Sequence, residues 1–171
     1  AESLRSLAGR KMHSKKNHFN GFVKEYQDRF VYKAIEKSEF EECLRLSDKW
    51  AFSREKDRNL IGENLAIKKV LKNADKFSCL KIGGIYIDND LEAFTFGDLI
   101  NSQMAVIHIE KANPDIRGIY SAVNKLFLEN EFPDVEFVNR EDDLGIEGLR
   151  KAKLSYKPLR LVEKYTLTER Q

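Results

Sequence analysis

The sequence has few of the features that would staple a small domain together or carry it into a membrane. It has two cysteines, Cys43 and Cys79, far apart and in no Cys-x-x-Cys pair. That excludes a disulfide framework and a cysteine zinc cluster, and a reduced, cytoplasmic setting is expected. Histidine is scarce too. His13 and His18 stand five apart, which does not place two ligands on one helix face, so no metal site is expected. No apolar run approaches the ~20 residues of a membrane span, and Ala1-Glu2-Ser3-Leu4-Arg5 does not read as a secretory leader. A lipid substrate would have to be reached from the membrane surface. A strong charge of one sign is also missing. The net charge of +2 is too small to argue for nucleic acid by itself. No repeat or low-complexity tract is present.

What remains is an ordinary globular composition, 42% hydrophobic, with a high charged content of 34%. A length of 171 residues suits one domain, 1–171, with a buried core. The pattern predicts a helix from Leu4 to Tyr26, with Leu4, Leu7, Met12, Phe19, Phe22 and Tyr26 as a broken apolar stripe weakened by Gly9 and Gly21. This stretch, about 1–27, is lopsidedly basic. Arg10, Lys11 and Lys15, with Lys16 and Lys24, interleave with Phe19 and Phe22, a pattern suited to a phosphate backbone or an anionic membrane as well as to a solvated face.

A strand is expected over Arg29–Ile35. A helix follows over Ser38–Arg54, with a Ser38/Glu41 capping box and an inner face of Phe40, Cys43, Leu44, Trp50, Ala51 and Phe52. A second helix spans Asn59–Lys76, with Leu60, Leu65, Ile67, Val70 and Leu71 apolar. Three strands come next: Leu80–Asp88 with a bulge or close approach at Gly83-Gly84, Glu92–Leu99, and Met104–Lys111. Asp88-Asn89-Asp90 supplies hairpin chemistry. The third strand is apolar on both faces and so belongs inside the sheet. Strict alternation puts Met104, Val106, His108 and Glu110 on one face and Ala105, Ile107, Ile109 and Lys111 on the other. A lone His108 in such a strand reads as a core residue. Helix Ile116–Phe132, strand Val135–Asn139, helix Ile146–Tyr156 and a final strand Leu159–Thr168 complete the chain.

Polar chemistry concentrates where two apolar strands stop being apolar. Glu110 and Lys111 end one; Asn139, Arg140 and Glu141 end the other. Sites in sheet proteins are commonly built at the carboxyl ends of strands. Arg150 and Lys153, three apart on the following helix, could hold a phosphate. A cross-strand ion pair of Arg140 with Glu110 or Glu141 would look identical in sequence, and Asp142 or Asp143 could simply cap the helix.

The segment Asn139–Pro158, NREDDLGIEGLRKAKLSYKP, resembles the signature of the phosphatidylglycerol lysyltransferase C-terminal domain family, and in particular its stand-alone bacterial members. LAGRKMHSKKNHFNGF, EAFTFGDLIN and HIEKANPDIRGIYSAVNKLF fit the same family, in order along nearly the whole chain. The resemblance implies an α/β fold of the acetyltransferase (GNAT-like) type, a mixed sheet flanked by helices, with a preceding domain of similar type in a longer protein. In that fold two strands, here Met104–Lys111 and Val135–Asn139, run parallel and splay at their carboxyl ends to hold an acyl donor.

Coenzyme-A-using members read Arg or Gln, then Gly, then Gly or Ala at the next helix start. Here Asp115 precedes Gly118 and Tyr120 follows it, so the pyrophosphate pattern is missing and no cofactor is expected. The resemblance implies instead an aminoacyl-tRNA donor, with tRNA and an anionic lipid or membrane surface as partners. Glu110 or Glu141 would then take the acceptor's proton. Lys111, Arg140 or Asn139 would face the oxyanion, and Tyr156 would protonate the leaving ribose. Three functions stay open on the sequence: aminoacyl-tRNA-dependent transfer, coenzyme-A-dependent N-acyl transfer, and a non-catalytic domain binding RNA, lipid or a partner.

Overall fold

The computed structural model describes residues 1–52 and 58–169, with side chains left undescribed at 50–52 and 58–61. The expected inward positions of Trp50, Ala51, Phe52 and Leu60, and the helix end at Arg54, lie outside the described residues. The chain divides into two compact units, Ala1–Glu141 and Asp142–Gln171. No helix among the described residues is long and apolar enough to cross a membrane.

The first unit is built on a five-stranded sheet: β1 (Phe30–Ala34), β2 (Lys81–Ile87), β3 (Asp90–Asn101), β4 (Met104–Ala112) and β5 (Phe137–Asn139), in the order β1-β2-β3-β4-β5. The first four strands are antiparallel neighbours. β4 and β5 are parallel, with Met104 opposite Phe137 and Val106 opposite Asn139. The β2–β3 hairpin closes through Asp88 (φ 52) and Asn89 (φ 74). Both are residue types whose short polar side chains tolerate the left-handed region that a two-residue hairpin loop demands. Gly83 and Gly84 are sites of close approach. A Cβ at Gly83 would run into the Tyr32 ring, and one at Gly84 into Ile35 and Leu91. The bulge expected there lies one step on, between Ile85 and Tyr86.

Helices cover both faces. On one side lie α2 (His13–Tyr26) and α5 (Ile119–Glu131), where Phe22, Ile119, Ala122 and Val123 pack on Ile85, Ile87, Ala93 and Ala112. On the other lie α3 (Phe40–Phe52) and α4 (Arg58–Lys72), where Cys43, Leu46, Ile67 and Leu71 pack on Ile82, Phe94 and Phe96. Each large side chain buried completely here is worth roughly 1.5–3 kcal/mol.

Several boundaries differ from the expectation. The first helix is broken: a short α1 (Glu2–Ser6) ends at Leu7 in the left-handed region (φ 48), and Gly9 (φ 86) turns the chain into a 3-10 turn before α2. Leu7 and Met12 remain buried, so the apolar stripe is real although the helix is not continuous. The cap before α3 is not Ser38/Glu41. Glu36 and Glu39 form the reciprocal box around the 3-10 turn Lys37–Glu39, and the Glu39 carboxylate accepts the Glu36 N–H at 3.0 Å. α4 stops at Lys72, and the 3-10 turn Ala74–Lys76 follows. α5 starts at Ile119 rather than Ile116, because Gly118 (φ 86) sits at its N-cap. A Cβ on Gly118 would also meet the His18 backbone carbonyl, so α2 lies directly on this helix start.

The second unit holds α6 (Glu147–Leu154) and a tail. The strand expected over Leu159–Thr168 is absent. The segment forms no ladder among the described residues, and its apolar side chains are exposed. Alternation alone cannot make a strand without a neighbouring edge to satisfy its backbone.

Candidate active site

β4 and β5 part company early. Their pairing ends at Val106 and Asn139, while β4 runs on to Ala112. The gap this leaves is flanked by residues of β4 and by the chain just after β5. The loop ahead of β5 is held by α1: Arg5 donates to the Phe132 and Val135 carbonyls, both at 3.0 Å, and the Ala1 ammonium donates to the Glu136 carbonyl at 2.6 Å.

Two polar pairs bridge the gap. The first joins Glu110 of β4 to Arg140, both side chains about one-sixth exposed. Asn124 of α5 donates Nδ2–H to the other Glu110 oxygen at 2.8 Å. Asn124 Oδ1 is buried and accepts nothing among the described residues. Lys15 of α2 approaches the same pair. Its pKa is lowered, first by burial and then by the Arg140 charge, with Glu110 partly offsetting both. The cluster thus joins one carboxylate to two cations out of bulk water, a setting in which charges act strongly.

The second pair joins His108 to Glu141, with Nδ1 and Oε1 2.7 Å apart. The other ring nitrogen, Nε2, is 3.6 Å from Asp98 on β3. Glu141 adopts φ 54, unusual for a non-glycine residue, and its N–H donates to Asn139 Oδ1 at 2.8 Å. Asn139 therefore shapes the turn that presents Glu141.

His108 owes its position to a bulge. Phe96 faces Ile109 and Gly97 faces Ile107, so His108 is an extra residue on β4. The bulge also overturns the expected alternation. Val106 lies opposite Asp98 and Ile109 opposite Phe96, so Val106 shares the α3/α4 face with Ile109, and Glu110 turns to the α5 face. The reading of His108 as a core residue is corrected by the same observation: its side chain is one-third exposed and held between two carboxylates. No local sequence signal marks a bulge at this position.

Glu110 and Lys111 do leave β4 on opposite faces, as expected, and this removes Lys111 from the cluster. Lys111 is 5% exposed and pairs with Glu63 of α4 on the α3/α4 side, so it is structural there. The strand-end residues thus fall into separate contacts: Glu110 with Arg140, Asn124 and Lys15; Glu141, presented by the Asn139 turn, with His108; and Lys111 with Glu63.

The basic amino-terminal residues also separate. Arg10 and Lys11 are exposed in the 3-10 turn, whereas Lys15 sits half-buried beside Arg140. In the second unit, Arg150 holds Asp143 through Nε (2.7 Å) and Nη2 (3.1 Å), and Lys153 donates to the Asp142 carbonyl at 2.6 Å. Asp143 is held below the usual carboxylate range, first by its bond to Arg150. Both cations are thus engaged in folding the loop before α6. Tyr156 is buried.

At the start of α5, the Tyr120 hydroxyl donates to the Ala112 carbonyl at 3.3 Å and α2 covers Gly118. α2 thus approaches the start of α5 on the Gly118 side, while Arg117 and Tyr120 beside it are exposed.

Comparison with known proteins follows the same lines. A conserved protein of unknown function from Bacteroides thetaiotaomicron is 36% identical, with a TM-score of 0.88 over 94% of this chain and 54% of its own. The C-terminal domain of a putative lysylphosphatidylglycerol synthetase from Agrobacterium fabrum superposes with a TM-score of 0.60 at 14% identity, covering 89% of this chain and 53% of that one. A possible acetyltransferase from Clostridium difficile has a TM-score of 0.58 at 9% identity, covering 84% and 98%. The fold is therefore the acetyltransferase type. The chain spans about half the length of the Bacteroides protein and 53% of a curated relative from Mycoplasmoides gallisepticum. Residues 1–168 match the family described as phosphatidylglycerol lysyltransferase, C-terminal, and to that family this chain belongs.

Proposed function

We propose that this domain transfers an aminoacyl group from the ester of a charged tRNA to a hydroxyl or amine acceptor, with an anionic lipid as the acceptor class and the cytoplasmic membrane surface as its place of work. The observation that carries this reading is the gap beyond Val106 and Asn139, bridged by a His–carboxylate pair and an Arg–carboxylate pair. The chain's membership of the lysyltransferase family supports the donor class. Asp115 and Tyr120, which break the coenzyme-A pattern around Gly118, argue against coenzyme A.

An aminoacyl ester is already activated, so positioning, proton removal and charge stabilisation suffice. In the tautomer that donates Nδ1–H to Glu141, the His108 lone pair is on Nε2, on the side of Asp98 at 3.6 Å, and the acceptor's proton is taken there. The acceptor oxygen or nitrogen attacks the ester carbonyl, and Arg140, steadied by Glu110, faces the oxyanion. The tetrahedral intermediate collapses, the C–O bond to the ribose breaks, and His108 returns the proton to the departing ribose oxygen. Asn124 Oδ1 and Glu110 supply acceptors for the substrate's ammonium group.

The test is a transfer assay with lysyl-tRNA and phosphatidylglycerol vesicles, run beside a thermal melt. His108→Ala and Glu141→Gln should each lower the transfer rate by about a hundredfold or more, the loss typical of a general base, without moving the melt by more than about 2 °C. Full transfer by His108→Ala would refute the reading. So would micromolar binding of acetyl-coenzyme A by calorimetry together with acetyl transfer.

A further inference from the structure

Asp48 and Asp88 each hold a cation, Lys68 at 2.9 Å and Arg29 respectively. Asp98 on β3 does not. Among the described residues its carboxylate makes no hydrogen bond, and its only ion-pair contact is His108, with Oδ2 3.6 Å from Nε2. That separation is beyond hydrogen-bond range. The fold aims Asp98 there. The bulge that makes His108 an extra residue of β4 falls at Phe96 and Gly97, so Asp98 stands opposite Val106 while its carboxylate meets the His108 ring. Gly97 lets the strands close up at this step, since a Cβ on it would strike the Val106 carbonyl. Both side chains are one-third exposed, so a ligand can reach them.

The spacing selects a class of ligand. In the tautomer that donates Nδ1–H to Glu141, Nε2 and Asp98 Oδ2 both present lone pairs. Two acceptors facing each other in this way need donors between them. One atom bonded to both at ordinary hydrogen-bond lengths would subtend about 80°, well under the tetrahedral angle between the N–H bonds of an amine. A 1,2-diol in its gauche rotamer instead sets two hydroxyl oxygens roughly 3 Å apart, one for each acceptor. We propose that Asp98 selects the acceptor of the transfer: it binds the hydroxyl next to the attacking one, so the site takes a 1,2-diol ahead of a lone hydroxyl or an amine. This rests on the transfer reading above and adds a residue and an acceptor class to it. The attacking hydroxyl gives its proton to Nε2 as its oxygen bonds the ester carbon, and that proton passes to the departing ribose oxygen. The neighbouring hydroxyl keeps its own proton throughout, donated to Oδ2.

The experiment compares two lipids in vesicles, with lysyl-tRNA as donor. One is phosphatidylglycerol. The other carries a 1,3-propanediol head group, which keeps the terminal hydroxyl and lacks its neighbour. Wild type should favour phosphatidylglycerol by roughly ten- to a hundredfold in kcat/KM, the worth of one hydrogen bond to a charged group. Water reaches Asp98, which keeps the ratio below that of a fully buried site. Asp98→Ala should bring the ratio close to one, with its melt within about 2 °C of wild type. Asp98→Asn, which keeps an acceptor oxygen, should restore part of the preference. A second readout needs no transfer. Glycerol 1-phosphate, titrated against the ring signals of nitrogen-labelled His108, should bind more tightly than 3-hydroxypropyl phosphate, and Asp98→Ala should abolish the difference. That binding preference without any transfer would support Asp98 as a diol-binding residue and defeat the transfer reading. Transfer at equal kcat/KM to both lipids, or better transfer to phosphatidylethanolamine, would overturn the proposal and leave the transfer reading standing. A preference that survives in Asp98→Ala would overturn it too. So would an Asp98→Ala defect that vanishes with a 2′-deoxy terminal adenosine on the tRNA, because Asp98 would then be reading the donor's ribose. Neither transfer nor binding would sink both.

Discussion

Replacing Arg140 by Ala should cost stability as well as transfer, and a double-mutant cycle with Glu110 separates the two. The Arg140 and Glu110 side chains are 17% and 16% exposed, so the pair is largely removed from water and solvent screening is small. Breaking a buried pair by removing one partner typically costs about 3–5 kcal/mol, because the other charge stays behind. Here Glu110 keeps the Asn124 amide at 2.8 Å and the nearby Lys15 charge, which offset part of that loss. With that offset the cost falls just below the range, about 2–3 kcal/mol for Arg140→Ala. In a domain of this size that is a fall in Tm of roughly 4–12 °C. Removing both charges together, Arg140→Met with Glu110→Leu, should cost clearly less than the two single variants summed, since neither charge of the pair is left behind and only the buried Asn124 amide loses its partner. The cycle should therefore show a coupling of about 2 kcal/mol in urea unfolding monitored by circular dichroism. Single variants costing under about 0.5 kcal/mol each and adding within error would refute the reasoning, because a pair that weak could not be holding the gap. Arg140→Lys refines the result. It restores a charge but not a planar fork, so it should recover part of the stability.

Other outcomes follow from the same structure. Gly118→Ala places a Cβ in the left-handed region and against the His18 carbonyl, and should cost about 2–4 kcal/mol in urea unfolding, whereas the solvent-facing Gly148→Ala should cost nothing measurable. Cys43 is buried, and burial first, with the Glu42 and Glu39 charges adding, pushes its thiol up to about 12. A thiol reagent should therefore label one equivalent, Cys79, in the native protein and two only after unfolding, as mass spectrometry would count. The Asp48 carboxyl on α3 is held low, first by the Asn64 amide (2.6 Å) and then by Lys68, both on α4. Its folded pKa lies below the unfolded one, so its contribution is present above ordinary carboxylate pKa values and is lost as pH falls through the folded pKa. The stability gap between wild type and Asp48→Asn should accordingly be full at pH 7 and close on acidification toward pH 2.

Much of the fold was legible in the residues because its elements carry local periodicities. The strands of the meander from Lys81 to Ala112 are apolar runs rich in β-branched and aromatic residues, its first turn has the Asp-Asn chemistry such turns require, and α5 repeats its apolar residues at helical spacing. The family signature supplied the parallel pairing of β4 with β5, which no local pattern encodes. The pairing of Arg140 with Glu110 was foreseen as a possibility, but choosing between Glu110 and Glu141 needed coordinates, since both stand within reach of the same strand ends.

What only the tertiary structure decided came from events without a local signature. One extra residue at His108 shifted the face of everything after it, carrying Glu110 to α5 while Lys111 met Glu63 on the other side. It also left His108 on Glu141, where composition had read it as core. A bulge depends on how a partner strand is registered, here where Gly97 packs against the Val106 backbone, and that is a property of two strands together. The tail shows the complementary case. Its alternation from Leu159 to Thr168 is that of a strand, yet a strand is completed only by an edge, and its own residues do not say which edge that is.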